Sequence, residues 1–451
     1  MKILTIIWTF ILLLSAGCGK QSAPVAQGWS APVKITDTQD SLIGSVVLRK
    51  LHDAIIAFQP QEDGMAKCFM LNSDSKSWAE VSLAGVPRGY FWWWPAIEQG
   101  SDKVFFERGY IENDKLVMSA LIGRMTVNTN LLMKEVVENT WLTSVESLFE
   151  KMGSIVHLSE SGGRDWPELG VGIINNSDMY IPCSISGITY NRVGPVARGP
   201  YMNGVFHSVD SGKTWKLENI LDFYAEAPSI CRSGNNYYYF VANPSHQLLV
   251  SKKIVTGCAW SSVEQVTTNF GGHYVLAPQS NVVHLCWLDN RYEKKQLDIG
   301  VFPPHLYRSF QNCEIVYRQH KDSDNKWGNE VILSEGLLYA FSPSMSVEGD
   351  RIVIAWAGVR TGNVWHSTSD PNDIYYVTSK DGGKSWMEPQ RITDNIKAEI
   401  TAGNPQVVLQ NGIIHLTYTQ GKLKLKQDSP GLTKLNQPPW PIYYQQRPFP
   451  N

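Results

Sequence analysis

Three arginines each stand just past an apolar run expected to be a strand: Arg291 in W-L-D-N-R, Arg360 in W-A-G-V-R and Arg108 just after Phe105-Phe106. Guanidinium groups leaning inward from separate elements can clamp a carboxylate through paired hydrogen bonds, and the same recurrence also suits an arginine that fastens its own loop to a neighbour. A second set, His157, His207, His273, Tyr274 and Arg291, carries groups that can move protons near neutrality, although a lone histidine more often packs structurally. Flat apolar faces suited to sugar C–H surfaces come from Tyr90, Trp92 to Trp94, Tyr201, Tyr224 and Trp365. Three consecutive tryptophans on one strand cannot all face water, so part of that run is expected to pack between elements. The cysteines at 68, 183, 231, 258, 286 and 313 lack C-x-x-C pairing or histidines at zinc spacing. They read as buried small hydrophobes, and no metal or cofactor is expected.

The elements that must position these groups are strands. Ser208-Val-Asp210-Ser-Gly212-Lys-Thr-Trp215 and Ser379-Lys-Asp381-Gly-Gly383-Lys-Ser-Trp386 share the frame S-x-D-x-G-K-[ST]-W. Each follows a β-branched or aromatic run and opens another. The pattern is that of a tight hairpin: an Asp folds back onto turn N–H groups, a Gly takes a left-handed conformation, and a Trp caps the turn. Degenerate copies stand at Ser73-Asp-Ser-Lys-Ser-Trp78 and Asp322-Ser-Asp-Asn-Lys-Trp327. The fullest unit runs from Ser342 to Thr393 as four short apolar runs bounded by Gly, Asp or Pro, and no 3.6-residue period is sustained anywhere. A net charge of −2 offers no basic excess for nucleic acid, and 43% hydrophobic residues suffice for a large core.

This repeated turn resembles the Asp-box, or BNR, repeat of the sialidase-like β-propellers. The resemblance implies an all-β fold: a single β-propeller over residues 29–447 with seven blades, or six if the irregular stretch 141–220 divides otherwise. Approximate blades fall at 44–83, 94–137, 141–220, 226–266, 274–333, 341–393 and 404–447. Trp29-Ser-Ala-Pro-Val-Lys-Ile-Thr36 parallels Trp386-Met-Glu-Pro-Gln-Arg-Ile-Thr393, so the N-terminal strand is expected to complete the last blade. In a propeller the turns carrying the boxes lie on one face, and the loops from each blade to the next lie on the other with those joining second to third strands. The second face then collects Arg88, Tyr224, His273 and Tyr274, together with long loops expected at 186–203 (with Arg198 and Tyr201), 289–312 and 357–372.

The N-terminus reads separately. The apolar run from Ile3 to Leu14 is too short to span a bilayer and ends in Leu14-Ser-Ala-Gly-Cys18, which looks like a bacterial lipobox. Residues 1–17 are therefore expected to be a lipoprotein signal peptide, Cys18 the lipid anchor and 18–28 a flexible tether, which puts the body in the cell envelope on the outer membrane or cell surface.

Asp222-Phe-Tyr-Ala-Glu226-Ala-Pro-Ser-Ile-Cys-Arg232, leading into Tyr237 to Tyr239, resembles the sialidase segment whose glutamate polarises a catalytic tyrosine, which makes Glu226 the base-like carboxylate. Where that family has R-I-P entering its first blade this chain reads Leu42-Ile-Gly-Ser45, and Phe240-Val-Ala-Asn-Pro244 stands where a further arginine is expected. Both departures fall on the carboxylate clamp, which Arg88, Arg108, Arg198, Arg291 or Arg360 would have to supply. Three functions fit: a divergent exo-glycosidase pairing Glu226 with Asp289 or Asp370, a non-catalytic propeller binding glycan or protein, and a propeller-type polysaccharide lyase drawing on His157, His207, His273, Tyr274 and Arg291. The expected partners are a glycan and, through the lipid, a membrane.

Overall fold

The computed structural model describes residues 26–36, 46–51, 54–60, 66–72, 77–84, 96–97, 103–112, 115–127, 131–143, 168–169, 172–175, 177–191, 194–221, 225–243, 245–290, 313–335, 337, 339–359, 372–395, 400–422 and 441–450. Within them every regular element is a strand, and the strands make seven sheets in chain order. The first holds Val47–Leu51, Ala54–Pro60, Ala66–Leu71 and Trp78–Val81. In the second, Ala96–Ile97, Lys103–Glu112, Lys115–Val127 and Leu131–Thr143 follow one another, with Leu83–Ala84 added parallel to the last. Glu168–Leu169 and Ile173–Asn175 both lie on Asp178–Asn191 in the third, which continues through Gly194–Ser208 and Lys216–Leu221.

The fourth sheet runs Glu226–Ser233, Asn236–Asn243, Gln247–Ile254 and Glu264–Thr267. The fifth runs Phe270–Gln279, Val282–Asp289, Glu314–Lys321 and Lys326–Trp327, and Val331–Ile332 also pairs with its third strand. The sixth holds Tyr339–Glu348, Arg351–Val359, Asp373–Ser379 and Gln390–Arg391. Ile400–Gln410, Ile413–Lys422 and Ile442–Pro448 make the seventh, completed by Val33–Thr36.

The sheets form a closed ring. Opening strands meet across sheet boundaries: Asp178–Asn191 touches Glu226–Ser233, which touches Phe270–Gln279, which touches Tyr339–Glu348, which touches Ile400–Gln410. Ile400–Gln410 returns to Val47–Leu51, and the second sheet bridges the first and third through Leu83–Ala84 and Ala96–Ile97. Sheets that each pack on the next, and the last on the first, make a β-propeller whose opening strands line the axis.

Both faces of a sheet in such a ring are covered, so its middle strands read as unbroken apolar runs rather than alternating ones. Arg351–Val359 is buried from its second residue on, and Asp373–Ser379 throughout. Cys286, Ile315 and Tyr317 of the fifth sheet pack on Ile352, Ile354, Trp356 and Tyr375 of the sixth, with Trp356 fully excluded from solvent.

The N-terminal segment supplies the last strand of the ring. Val33 pairs with Tyr444, Lys34 with Tyr443 and Thr36 with Ile442, all antiparallel. Ahead of it, the Ala26 N–H donates to the Arg391 carbonyl at 2.7 Å, and Trp29 meets Tyr376 edge to face with centroids 5.3 Å apart. The likeness between 29–36 and 386–393 thus reflects two outermost strands in equivalent places, one of them borrowed from the far end of the chain.

Two stretches differ from the sequence-based expectation. Residues 186–203, read as a long loop, continue the strands Asp178–Asn191 and Gly194–Ser208 as a ribbon, with Ser186 opposite Tyr201 and Ile188 opposite Arg198. Arg108 lies inside Lys103–Glu112 opposite Ser119, rather than just past a strand. In both places polar and glycine positions conceal a two-residue alternation that the partner strand completes.

Candidate functional site

The S-x-D-x-G-K-[ST]-W turns mark one face. Ser208 Oγ donates to Asp210 Oδ1 at 2.8 Å and accepts the Gly212 N–H at 2.8 Å. Asp210 accepts the Thr214 N–H at 2.8 Å and the Thr214 hydroxyl at 2.7 Å, while Trp215 Nε1 donates to the Gly212 carbonyl at 3.0 Å. The second turn repeats this: Ser379 to Asp381 at 2.8 Å, the Ser385 N–H to Asp381 at 2.9 Å, and Trp386 Nε1 to the Gly383 carbonyl at 3.2 Å. The Thr214 N–H and hydroxyl hold the Asp210 carboxyl down at about 2, and the Ser385 hydroxyl and N–H act on Asp381 in the same direction. Gly383 has φ +87°, and a Cβ there would overlap the Tyr317 phenol. The degenerate copy at 322–327 has no such glycine carbonyl; Trp327 Nε1 stays buried without a partner, and Asp322 accepts instead from Asn236 at 3.1 Å and from the Tyr238 hydroxyl.

These turns share their face with the hairpins joining first to second strands. The Ser211 N–H donates to the Ser177 carbonyl at 3.0 Å, and the Gly382 N–H to the Asp350 carbonyl at 2.9 Å. The residues that open each innermost strand therefore lie at the other end of the ring.

That other end carries the candidate site. Glu226 heads Glu226–Ser233 opposite Ala242, and the ladder then skips to Ser229 opposite Phe240. The extra residue makes a bulge in which Ala227 has φ +49°, a conformation that costs a non-glycine residue about 1–2 kcal/mol. From the next sheet the Tyr274 hydroxyl donates to the Ala227 carbonyl at 2.5 Å, with the Phe240 carbonyl at 3.4 Å. Tyr274 thus ties the fourth sheet to the fifth and braces the backbone beside Glu226. His273 keeps solvent-accessible surface, yet the protein crowded around it desolvates the ring and lowers its pKa from the ordinary histidine value.

Asp289 ends Val282–Asp289 opposite Phe270, at the same end of the sheet as His273. It is fully buried and accepts Trp287 Nε1 at 3.0 Å. Arg198 and Tyr201 lie on Gly194–Ser208 and Arg108 on Lys103–Glu112. Arg88, Tyr224, Arg291, Arg360, Asp370 and Cys18 lie outside the described residues, as do His157 and Trp92 to Trp94.

His207 belongs elsewhere. It stacks on Tyr180 with centroids 4.1 Å apart and meets Glu218 through Nδ1 at 2.9 Å. Glu218 also accepts Lys253 Nζ at 2.9 Å and Trp260 Nε1 at 2.9 Å, so this cluster rivets the third sheet to the fourth. Among the described residues no three His, Cys, Asp or Glu side chains gather as a metal site.

Sequence reasoning missed one recurrent feature. Ala227-Pro228, Ser342-Pro343 and Asn404-Pro405 each stand just inside an innermost strand, each first residue has φ near +50°, and each coincides with a break in register. The signal was the repetition of an x-Pro step ahead of a strand, which on its own reads only as a strand boundary.

No family model matches the chain, and no curated protein matches it in sequence. Solved structures similar to it include Trypanosoma rangeli sialidase in complex with sialic acid, at 9% identity and a TM-score of 0.44 over 94% of this chain and 60% of that one. YCF48 bound to D1 peptide is similar at 10% identity and a TM-score of 0.40, over 95% of this chain and 100% of that one. A polysaccharide lyase, ulvan lyase, bound to -[GlcA(1-4)Rha3S]- is similar at 11% identity and a TM-score of 0.36, over 69% of this chain and 79% of that one. The chain thus spans about 60% of the length of the sialidase.

Proposed function

We propose that this chain is a lipid-anchored, sialidase-like propeller that acts on glycans at the face opposite its S-x-D turns, as a divergent exo-glycosidase. The observation that carries the reading is the opening of Glu226–Ser233: the glutamate singled out by its sequence segment heads an innermost strand, on a strained bulge braced by Tyr274. Backbone strain held in place by a neighbouring element is found disproportionately at sites that must hold a group still. The role assigned to Glu226 is that of a general base, or of the carboxylate that activates a nucleophile, beside the scissile bond. The two regular turns are Asp-boxes in this reading and serve only the fold.

Glu226→Gln keeps the side chain's size and removes its charge. It is expected to leave the melting temperature nearly unchanged while depressing turnover, or binding where there is no turnover, across a panel of α- and β-glycosides. Asp381→Ala on the other face is expected to do the reverse, lowering stability by about 1 kcal/mol through lost turn hydrogen bonds with activity per folded molecule intact. Parent-like behaviour of Glu226→Gln on a confirmed ligand would refute the assignment. For the anchor, Cys18→Ser should release the protein from membranes or stall its processing; fractionation like the parent's would show that something else holds it.

The accessible, desolvated imidazole of His273 favours a second reading, a lyase that removes a proton next to a uronate carboxylate. Its product would absorb near 235 nm, roughly where a conjugated unsaturated acid does, and a hydrolase product would not.

A further inference from the structure

In the S-x-D-x-G-K-[ST]-W turns the side chains of Ser, Asp and Trp hold the hairpin together, and the lysine of the frame contributes only backbone. The Lys384 N–H donates to Asp381 at 3.0 Å, the Lys213 N–H acts on Asp210 in the same way, and both lysine side chains are exposed. The degenerate turn at 322–327 also holds an exposed lysine, Lys326. Lys380 stands inside the second regular turn and Lys216 just after the first, both exposed. Lys50, exposed as well, lies beside the hairpin in which Leu51 pairs with Ala54. These six lysines occupy one end of the ring and are spread over the first, third, fifth and sixth sheets. The exposed carboxylates that share that end among the described residues are Asp324 and Asp350.

The chain joins the ring at the same end. The Ser30 N–H donates to the Gln446 carbonyl at 2.9 Å, and a Cβ on Gly28 would stand 3.8 Å from Arg447 Nη2. Two residues further on, the Phe449 N–H donates to the Gly412 carbonyl at 2.8 Å, in the hairpin between the first two strands of the seventh sheet. Gly28 thus sits at the rim of the turn end. Seven residues, 19–25, separate Cys18 from Ala26. At about 3.5 Å per residue when fully extended, the anchored cysteine stands no farther than about 28 Å from Ala26. A tether of that reach, attached at that rim, brings the lysine end to a bilayer first. Each lysine near an anionic lipid surface strengthens binding about fivefold, over a range of about 10 Å set by salt.

We propose that the turn end of the ring is a membrane-docking face, on which these lysines engage the phosphates of anionic lipid headgroups. Ammonium groups on long, solvated stems suit a diffuse charged surface better than a shaped pocket, and their spread over four sheets suits a plane better than a groove. A single lipid attachment holds a protein reversibly, and a basic patch beside it supplies the second hold. The docking rests on the proposed lipid anchor for its nearness to a bilayer and adds an orientation to it. With the turns on the membrane, the end carrying Glu226 and His273 faces away from the lipid.

The test uses the full chain, purified from membranes and reconstituted into vesicles of phosphatidylcholine alone or mixed with phosphatidylglycerol. Flotation with the vesicles reports the anchor, and amine acylation read by mass spectrometry reports the docking. Acylation of Lys213, Lys326, Lys380 and Lys384 is expected to slow about fivefold in the phosphatidylglycerol vesicles and to recover in high salt. Lys34, exposed toward the other end of Val33–Thr36, should label equally in both. Lys213→Gln, Lys326→Gln and Lys384→Gln combined should return Lys216 and Lys380 to their phosphatidylcholine rates. The melting temperature should stay within a degree or two of the parent, roughly the effect of surface changes. Equal labelling in both vesicles, with flotation intact, would overturn the docking face and leave the anchor standing. Protection and flotation confined to phosphatidylglycerol would overturn the anchor and support the face. Equal protection by inorganic phosphate without vesicles would assign the lysines to a free anion and overturn the membrane as their partner.

Discussion

Glu218 illustrates how single side chains hold adjacent sheets together. Burial opposes its charge, yet hydrogen bonds from His207, Lys253 and Trp260, with the charge of Lys253, outweigh that and hold the carboxyl down at about 2. Lys253 is almost wholly buried and lies 5.6 Å from the ring centroids of both Tyr180 and Trp260. Removing the carboxylate strands a buried ammonium, so Glu218→Gln should destabilise the protein by about 3 kcal/mol at neutral pH. A carboxyl whose pKa is depressed by folding contributes its stability above the unfolded value and loses it as pH falls toward the folded one. The gap between parent and variant in urea melts should therefore be full at pH 7 and shrink from about pH 4.5 to about pH 2. A gap constant over that window would mean that Glu218 is not the ionised partner of Lys253. At this scale the sequence was only partly legible. The turn aspartates could be read because local spacing fixes their partners, whereas His207 pairs with Glu218 across a strand and with nothing that sequence order reveals.

Among the elements, the borrowed strand Val33–Thr36 has the clearest consequence. Without it, Ile442–Pro448 would present an unpaired edge, and the contact of Trp29 with Tyr376 would be lost. Deleting residues 26–36 should lower the melting temperature sharply and promote aggregation in light scattering; an unaltered melt would contradict the closure. The strand could be read from sequence because 29–36 repeats the pattern of 386–393. The ribbon over 186–203 could not, since its pairing of Ser186 with Tyr201 depends on a partner strand rather than on local pattern. The x-Pro bulges were hidden for a different reason. A proline fixes its own φ and biases the residue before it toward extended backbone, so the left-handed conformations of Ala227, Ser342 and Asn404 run against local preference and are imposed by the sheets around them.

Across the whole molecule, the ring separates two kinds of order. One end gathers hairpins whose Ser, Asp, Gly and Trp satisfy each other locally, as in the turns around Asp210 and Asp381. The other gathers bulged strand openings whose strain is held by neighbouring sheets, Tyr274 on Ala227 being the clearest instance. A propeller needs the first for its blades, and at the second Tyr274 also joins one sheet to the next. In the proposed function, ligand binding falls to the end carrying Glu226 and His273. The most direct measurement is a crystal structure of the full chain soaked with the saccharide that binds best. Density for the sugar at the end of the ring that carries Glu226 and His273 is the predicted result, and a sugar seated on the face of the Asp210 and Asp381 turns would contradict it.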